Sequence, residues 1–205
     1  MAIHRNTGEK VAVKKMNKEN MSQAQQEMQR REIEILKMCQ HPNVIRLLDV
    51  FENHKYFYIV LEYLEGGDMY DYMKERQFSI SEERARRLAE CLSCALYYLH
   101  SYGIVHRDLK LENIMMTSKN DQSEPKLVDF GLSKILGPHE TTTDPFGTVG
   151  YAAPEILKKL PYGKSVDIWS LGIIIFILLN GAMPFFVKGN EQETMRQTLH
   201  EPVKF

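Results

Sequence analysis

Two adjacent glycines, Gly66-Gly67, divide the sequence into stretches of different periodicity. Ahead of them the pattern is mostly period two. Residues 8–16 (GEKVAVKKM) read as a strand after an Asn-Thr-Gly turn. VIRLLDVFENHKYFYIVLEYL reads as two more strands, turning at Glu52 to Lys55. Between them, residues 22–39 (SQAQQEMQRREIEILKMC) are predicted to be a helix with Ile33, Ile35 and Leu36 on its apolar side, stopped by HPN at 41–43. Behind the glycines helices dominate. A short one is expected at 68–76, and a long one at 82–101 behind a Ser79/Glu82 capping-box spacing. The pattern predicts an α+β chain in which a small β-rich lobe precedes a larger helical one.

The helical part contains WSLGIIIFILLNG, whose apolar run Ile173–Leu179 is far shorter than the roughly 20 residues of a membrane span. The spacing predicts a fully buried helix over 166–179, followed by a polar helix near 191–199. Residues 103–131 read as short strands and loops, and 132–152 as a long loop of the kind that is usually functional or disordered. A net charge of −1 gives no global pull toward nucleic acid or anionic membrane. There is no apolar leader with a small-residue cleavage site. Cys91 and Cys94 form a CxxC, but inside an unbroken helical pattern and without a second ligand pair, so neither zinc nor redox work is expected. A reducing cytoplasmic or nuclear setting fits the three cysteines.

Chemistry concentrates in HRDLKLEN (106–113) and VDFG (128–131). Each sets a carboxylate in a turn-rich segment, with a lysine and an asparagine close by. Separated carboxylates of this kind suit a polyanion carried with magnesium, because hard cations want oxygen ligands. Either triplet alone is a weak signal; both, in this order and with the HxDxKxxN spacing intact, are a strong one.

With VAVK (11–14), REIEIL (31–36), HPN, EYLEGGD (62–68), AAPE (152–155) and DIWSLG (167–172) added, the chain resembles a eukaryotic Ser/Thr protein kinase catalytic domain over essentially its whole length. HPNVIRLLDVF and LEGGDM are most similar in style to the calcium/calmodulin-dependent group and its AMP-activated relatives. The resemblance implies a two-lobed kinase fold over 1–205, with an N-lobe at 1–61, a hinge at 62–67 and a C-lobe at 68–205. It also implies ATP and Mg2+ as cofactors and protein substrates as partners, with an upstream kinase or a calcium sensor as further candidates. Lys14 would meet the α- and β-phosphates and pair with Glu32, for which Glu34 is the rival. Asp108 would take or orient the substrate hydroxyl's proton, Lys110 would steady the transferring phosphoryl, and Asn113 and Asp129 would hold magnesium. Backbone groups of Glu62 to Leu64 would bind adenine, with Ala12, Leu61 and Met115 around the ring. Asp68 would meet ribose, and together with Glu112 it implies a preference for basic substrates.

The activation segment implied by the resemblance runs from 129 to 155. It offers Thr141, Thr142 and Thr143 as phosphosites, while the family's main phosphorylated position falls on Asp144. That aspartate is expected to face Arg107 and to supply part of a phosphate's charge, about one negative charge against 1.5–2. Val149 stands where the family usually has proline. No GxGxxG occurs in the sequence. Against the family pattern the N-lobe is therefore expected to lack its first strand and Gly-rich loop, and the C-lobe its last helices, leaving Glu155 without its arginine. Beside the kinase reading stand two alternatives: a catalytically impaired kinase fold that serves as a binding module, and a truncated isoform that competes with a relative.

Overall fold

The computed structural model describes residues 1–204. The first lobe is built on one antiparallel sheet. β1 (Ala2–Ile3), β2 (Lys10–Asn17), β3 (Leu47–Glu52) and β4 (Tyr56–Glu62) lie in the order β1-β2-β4-β3. β2 and β4 pair along their whole length, with Ala12 opposite Leu61, Lys14 opposite Ile59 and Met16 opposite Phe57. Side chains alternate across a strand, so these six share one face. Phe57 and Ile59 on that face are fully buried, as is Ile35 of helix α1 (Gln23–Met38). Ser22 starts α1 with a complete capping box: its Oγ accepts from Gln25 N, and the Gln25 side chain accepts from Ser22 N. β4 runs on through Glu62, so the extended link to the second lobe begins at Tyr63.

The second lobe contains α2 (Met69–Glu75), α3 (Glu82–Ser101), α4 (Pro154–Leu157), α5 (Ser165–Asn180) and α6 (Glu191–His200). Two small ribbons pair β5 (Ile104–Val105) with β8 (Lys134–Ile135), and β6 (Ile114–Met116) with β7 (Pro125–Leu127). The first ribbon corrects the expectation of an unstructured 132–152, because β8 lies inside that stretch. Two residues paired with a distant partner leave no periodicity to read.

The cap of α3 also differs from expectation. Ser81, not Ser79, is the cap: it is extended (φ −66°, ψ 149°) and its Oγ accepts from Arg84 N. Ser79 N instead bonds to Arg76 O in the turn that closes α2, where Gln77 and Phe78 both have positive φ.

α5 is a further correction. Ile173, Ile174, Ile177 and Leu178 are buried, but Ile168 and Leu179 are each 54% exposed. An all-round apolar composition predicts burial on every side. Here one side packs on the core with α3, and the other lines an open apolar groove of about 630 Å³ with Trp169, Phe185 and Val203.

The lobes are tied behind the link. Asn43 Nδ2 donates to Pro125 O at 2.9 Å, Ile45 N to Leu127 O at 2.9 Å, and Gln40 N to the Tyr98 hydroxyl of α3 at 2.7 Å. One buried cluster runs through both lobes, from Ile33 and Ile59 to Leu111, Phe130 and Ile174. The end of α1 is therefore anchored to the helical lobe, and this fixes where Glu32 points.

Candidate active site

Lys14 leaves the middle of β2 toward α1, where its Nζ donates to Glu32 Oε1 at 2.9 Å and Oε2 at 3.0 Å. Glu32 is buried and receives a further bond from Gln29 Nε2 at 2.6 Å, whereas Glu34 is exposed. Two residues apart on a helix, the two carboxylates project about 200° apart. Across the cleft, Phe130 is buried and Asp129 exposed, with Asp129 at φ +59° and its Oδ1 accepting from Gly131 N. A methyl group built on Gly131 would lie 3.1 Å from Asp129 Oδ1 and 3.8 Å from Glu32 Oε2. The ion pair and the Asp129 carboxylate thus border the same glycine.

Asp108 gathers the second cluster. Its Oδ1 accepts from the Thr148 hydroxyl at 2.7 Å, and its Oδ2 from Asn113 Nδ2 at 2.9 Å and Lys110 Nζ at 2.9 Å. Lys110 Nζ also donates to Thr148 Oγ1 at 3.0 Å. Burial opposes the charge on Asp108. The Thr148 hydroxyl and the Lys110 ammonium outweigh it and hold the carboxyl below its ordinary pKa. Asp108 is therefore ionised at neutral pH and ringed by donors. Asn113 Nδ2 is spent on Asp108 O and Oδ2, so its side-chain oxygen Oδ1 is the atom that could hold a cation.

This loop is held from beneath by a residue that sequence reasoning left without a role. Asp167, 1% exposed at the start of α5, accepts from His106 N at 2.9 Å, Arg107 N at 2.9 Å and His100 Nε2 at 2.8 Å. Arg107 sits at φ +69°, a strained position for a long side chain, and these bonds hold it there. The available signal was an acid in the first turn of an otherwise apolar helix. Thr148, whose hydroxyl joins Asp108 to Lys110, was likewise noticed only as part of a loop.

The residues expected to surround a nucleotide lie on β2, β4 and β6, along the link and at the cap of α2. Ala12 and Leu61 stand opposite each other in the sheet, and Met115 of β6 forms an isolated bridge with Asp68. Leu64 is buried. The Glu62 side chain faces the rear, where it accepts from Arg46 N at 2.8 Å and Lys126 Nζ at 2.7 Å. Asp68 caps α2, its Oδ1 accepting from Asp71 N at 2.8 Å. Glu112 is exposed near Tyr151, whose hydroxyl pKa is pushed up by burial and then by the Glu112 charge.

In the activation segment Asp144 Oδ2 accepts from Arg107 Nη1 at 2.7 Å and from Lys134 Nζ at 3.1 Å. Arg107 and then Lys134 pull its pKa down from 3.8 to about 2. Thr141 and Thr143 are exposed, but Thr142 is not the accessible phosphosite the sequence suggests. It is 7% exposed, its backbone pairs with Tyr162, and its hydroxyl accepts from Lys134 Nζ at 3.0 Å. Glu155 is half-buried, and its Oε1 accepts from the Ser165 hydroxyl at 3.4 Å.

Three relatives align with about nine-tenths of the chain. A probable myosin light chain kinase of Dictyostelium discoideum is 42% identical over 184 residues, covering 89% of this chain and 47% of that protein. Myosin light chain kinase A of the same organism is 39% identical over 183 residues, 89% of this chain and 62% of that protein. A SNF1-related protein kinase catalytic subunit alpha of Arabidopsis thaliana is 40% identical over 186 residues, 90% of this chain and 37% of that protein. The chain thus spans less than two thirds of each relative's length. Residues 1–204 match the family model described as protein kinase domain, and the chain belongs to that family.

Proposed function

We propose that this chain carries the phosphoryl-transfer site of a protein serine/threonine kinase, moving the γ-phosphoryl of ATP to Ser or Thr hydroxyls of proteins. The observation that carries the reading is the convergence of the Lys14–Glu32 pair with Asp129 on one glycine. The Asp108–Asn113–Lys110 cluster supplies the second half. Lys14, held by Glu32, is the cation for the non-transferred phosphates. Asp108 accepts the proton of the attacking hydroxyl as the new O–P bond forms and the bond to ADP breaks. Lys110 offsets charge on the phosphoryl in flight.

Asn113 and Asp129 fit magnesium: each offers an oxygen, Asp129 from an exposed carboxylate and Asn113 from the amide oxygen left over. Among the described residues there is no cluster of three or more His, Cys, Asp or Glu side chains suited to a metal. A magnesium ion there would be held by one or two protein oxygens plus phosphates. Magnesium bound there would neutralise phosphate charge.

Asp68 and Glu112 support a preference for arginine upstream of the acceptor. Exposed Thr141 and Thr143 support modification by an upstream kinase, and Asp144 on Arg107 supports partial activity without it. No helix among the described residues is long and apolar enough to cross a membrane, and a cytoplasmic or nuclear setting is the reading that suits three free cysteines. The deciding experiment measures γ-phosphoryl transfer to a Ser/Thr peptide library. No phosphate on any peptide, with ATP bound, would leave only a binding module.

A further inference from the structure

The corner between α2 and α3 holds charge that phosphoryl transfer does not use. A cleft of about 630 Å³ opens there, walled by Arg76, Arg84 and Arg87 with Tyr72, Ile80 and Asp121. The Arg76 guanidinium lies 3.8 Å from the centre of the Tyr72 ring and that of Arg84 lies 5.6 Å from it. Tyr72 is buried, and its hydroxyl accepts from Arg84 Nε at 3.0 Å. Arg84 also donates to the Ser123 carbonyl, Arg76 to Tyr72 O and to Asp121 Oδ1, and Arg87 to Glu83 Oε1.

Two guanidiniums are thus set in place, while a third stands beside them on α3. Each carries five N–H donors, and the bonds just named engage one or two on each; the Arg87 side chain is 61% exposed, against 22% for Arg76. The three carboxylates that offset the charge are loosely held: the side chains of Asp121, Glu75 (4.0 Å from Arg76 Nη1) and Glu83 are 89%, 74% and 64% exposed. Exposed pairs of this kind contribute little, so an incoming anion displaces them readily. The planar fork of arginine matches a carboxylate in two-point contact. Half-buried Ile80 adds an apolar wall to the same cleft.

We propose that this cleft docks a short protein segment in which carboxylate side chains flank an aliphatic residue. The acids already paired with these arginines favour singly charged carboxylates over a phosphate carrying 1.5–2 charges. α2 spans about 10 Å, which separates the cleft from Asp68 at the other end of the helix. A segment docked here leaves the acceptor site open. That the docked protein is a substrate rests on the kinase reading above; the binding itself does not.

The test uses the full chain without nucleotide and a fluorescein-labelled Glu-Glu-Leu-Ile-Glu-Glu peptide, followed by anisotropy. Saturable binding is expected, weakened about tenfold by Arg87→Glu, tightened by Asp121→Asn, and weakened by added salt. Both positions are exposed, so both variants should fold. No saturable binding at millimolar protein, or an affinity indifferent to both variants, overturns the site. A phosphoserine version binding more than tenfold tighter overturns the carboxylate assignment. In a kinase assay, the acidic segment fused to an acceptor peptide is expected to lower KM at constant kcat. An unchanged KM overturns the substrate role. Intact docking with no phosphoryl transfer to any peptide would instead sink the kinase reading alone.

Discussion

The Asp144 carboxylate meets Arg107 at 2.7 Å, and the arginine side chain is 2% exposed while the aspartate is 39% exposed. An almost wholly buried cation in the catalytic loop thus takes its counter-charge from the activation segment. Asp144→Asn keeps the shape and removes the charge. It is expected to lower kcat/KM about tenfold, equivalent to about 1.4 kcal/mol, and Asp144→Glu should recover part of it. Equal activity of wild type and Asn variant would sink the idea of a built-in stand-in for phosphate.

The same contact predicts a pH signature. The carboxyl is held below its ordinary 3.8, at about 2, by Arg107 first and Lys134 after it. A depressed folded pKa gives stabilisation that is complete above the unfolded value and fades as the pH falls through the folded one. The acid-unfolding curve of wild type should therefore lose an increment between about pH 4 and pH 2 that Asp144→Asn lacks. Circular dichroism at stepped pH values checks it.

Lys14→Met should abolish transfer while leaving a folded chain. It strands the Glu32 carboxylate, whose side chain is 6% exposed, with Gln29 as its remaining donor. Lys14 is 40% exposed, so the stability loss should be about 1–2 kcal/mol rather than the 3–5 of a fully buried pair. Glu32→Gln should cost less stability, since a neutral amide replaces the buried charge. Urea midpoints of the two variants provide the comparison.

Incubation with ATP or an upstream kinase should place phosphate on Thr141 or Thr143 and not on Thr142, whose hydroxyl is turned inward to Lys134. Peptide mapping by mass spectrometry decides, and stoichiometric phosphate on Thr142 would show that the segment opens. Thr142→Ala removes one partner of Lys134 and should cost about 1 kcal/mol.

The two sides of α5 should respond differently to substitution. Ile174→Ala, at a fully buried position, is expected to cost about 2–5 kcal/mol. Ile168→Glu on the exposed side should change stability by less than about 0.5 kcal/mol and reduce self-association, because it breaks an exposed apolar patch. A large loss at Ile168 would mean that this side is covered in solution.

The sequence by itself determined the elements and the chemistry they carry. Alternation around VAVK and YFYIVLE made strands, Ile33 and Leu36 three residues apart with Ile35 beside them made the apolar side of α1, and the order of HRDLKLEN before VDFG named the reacting groups. These signals are local, since each depends on neighbours within a turn or along a strand. Only the tertiary structure decided between Ser79 and Ser81 as a cap, buried Thr142 from its exposed neighbours, and brought Asp167 under a loop some sixty residues earlier. It also opened one side of α5 and brought three arginines to one cleft, two of them against Tyr72. Composition and period state what a segment can bury. Which partner arrives, and from which side, depends on contacts between residues far apart in the chain, and no local pattern encodes those.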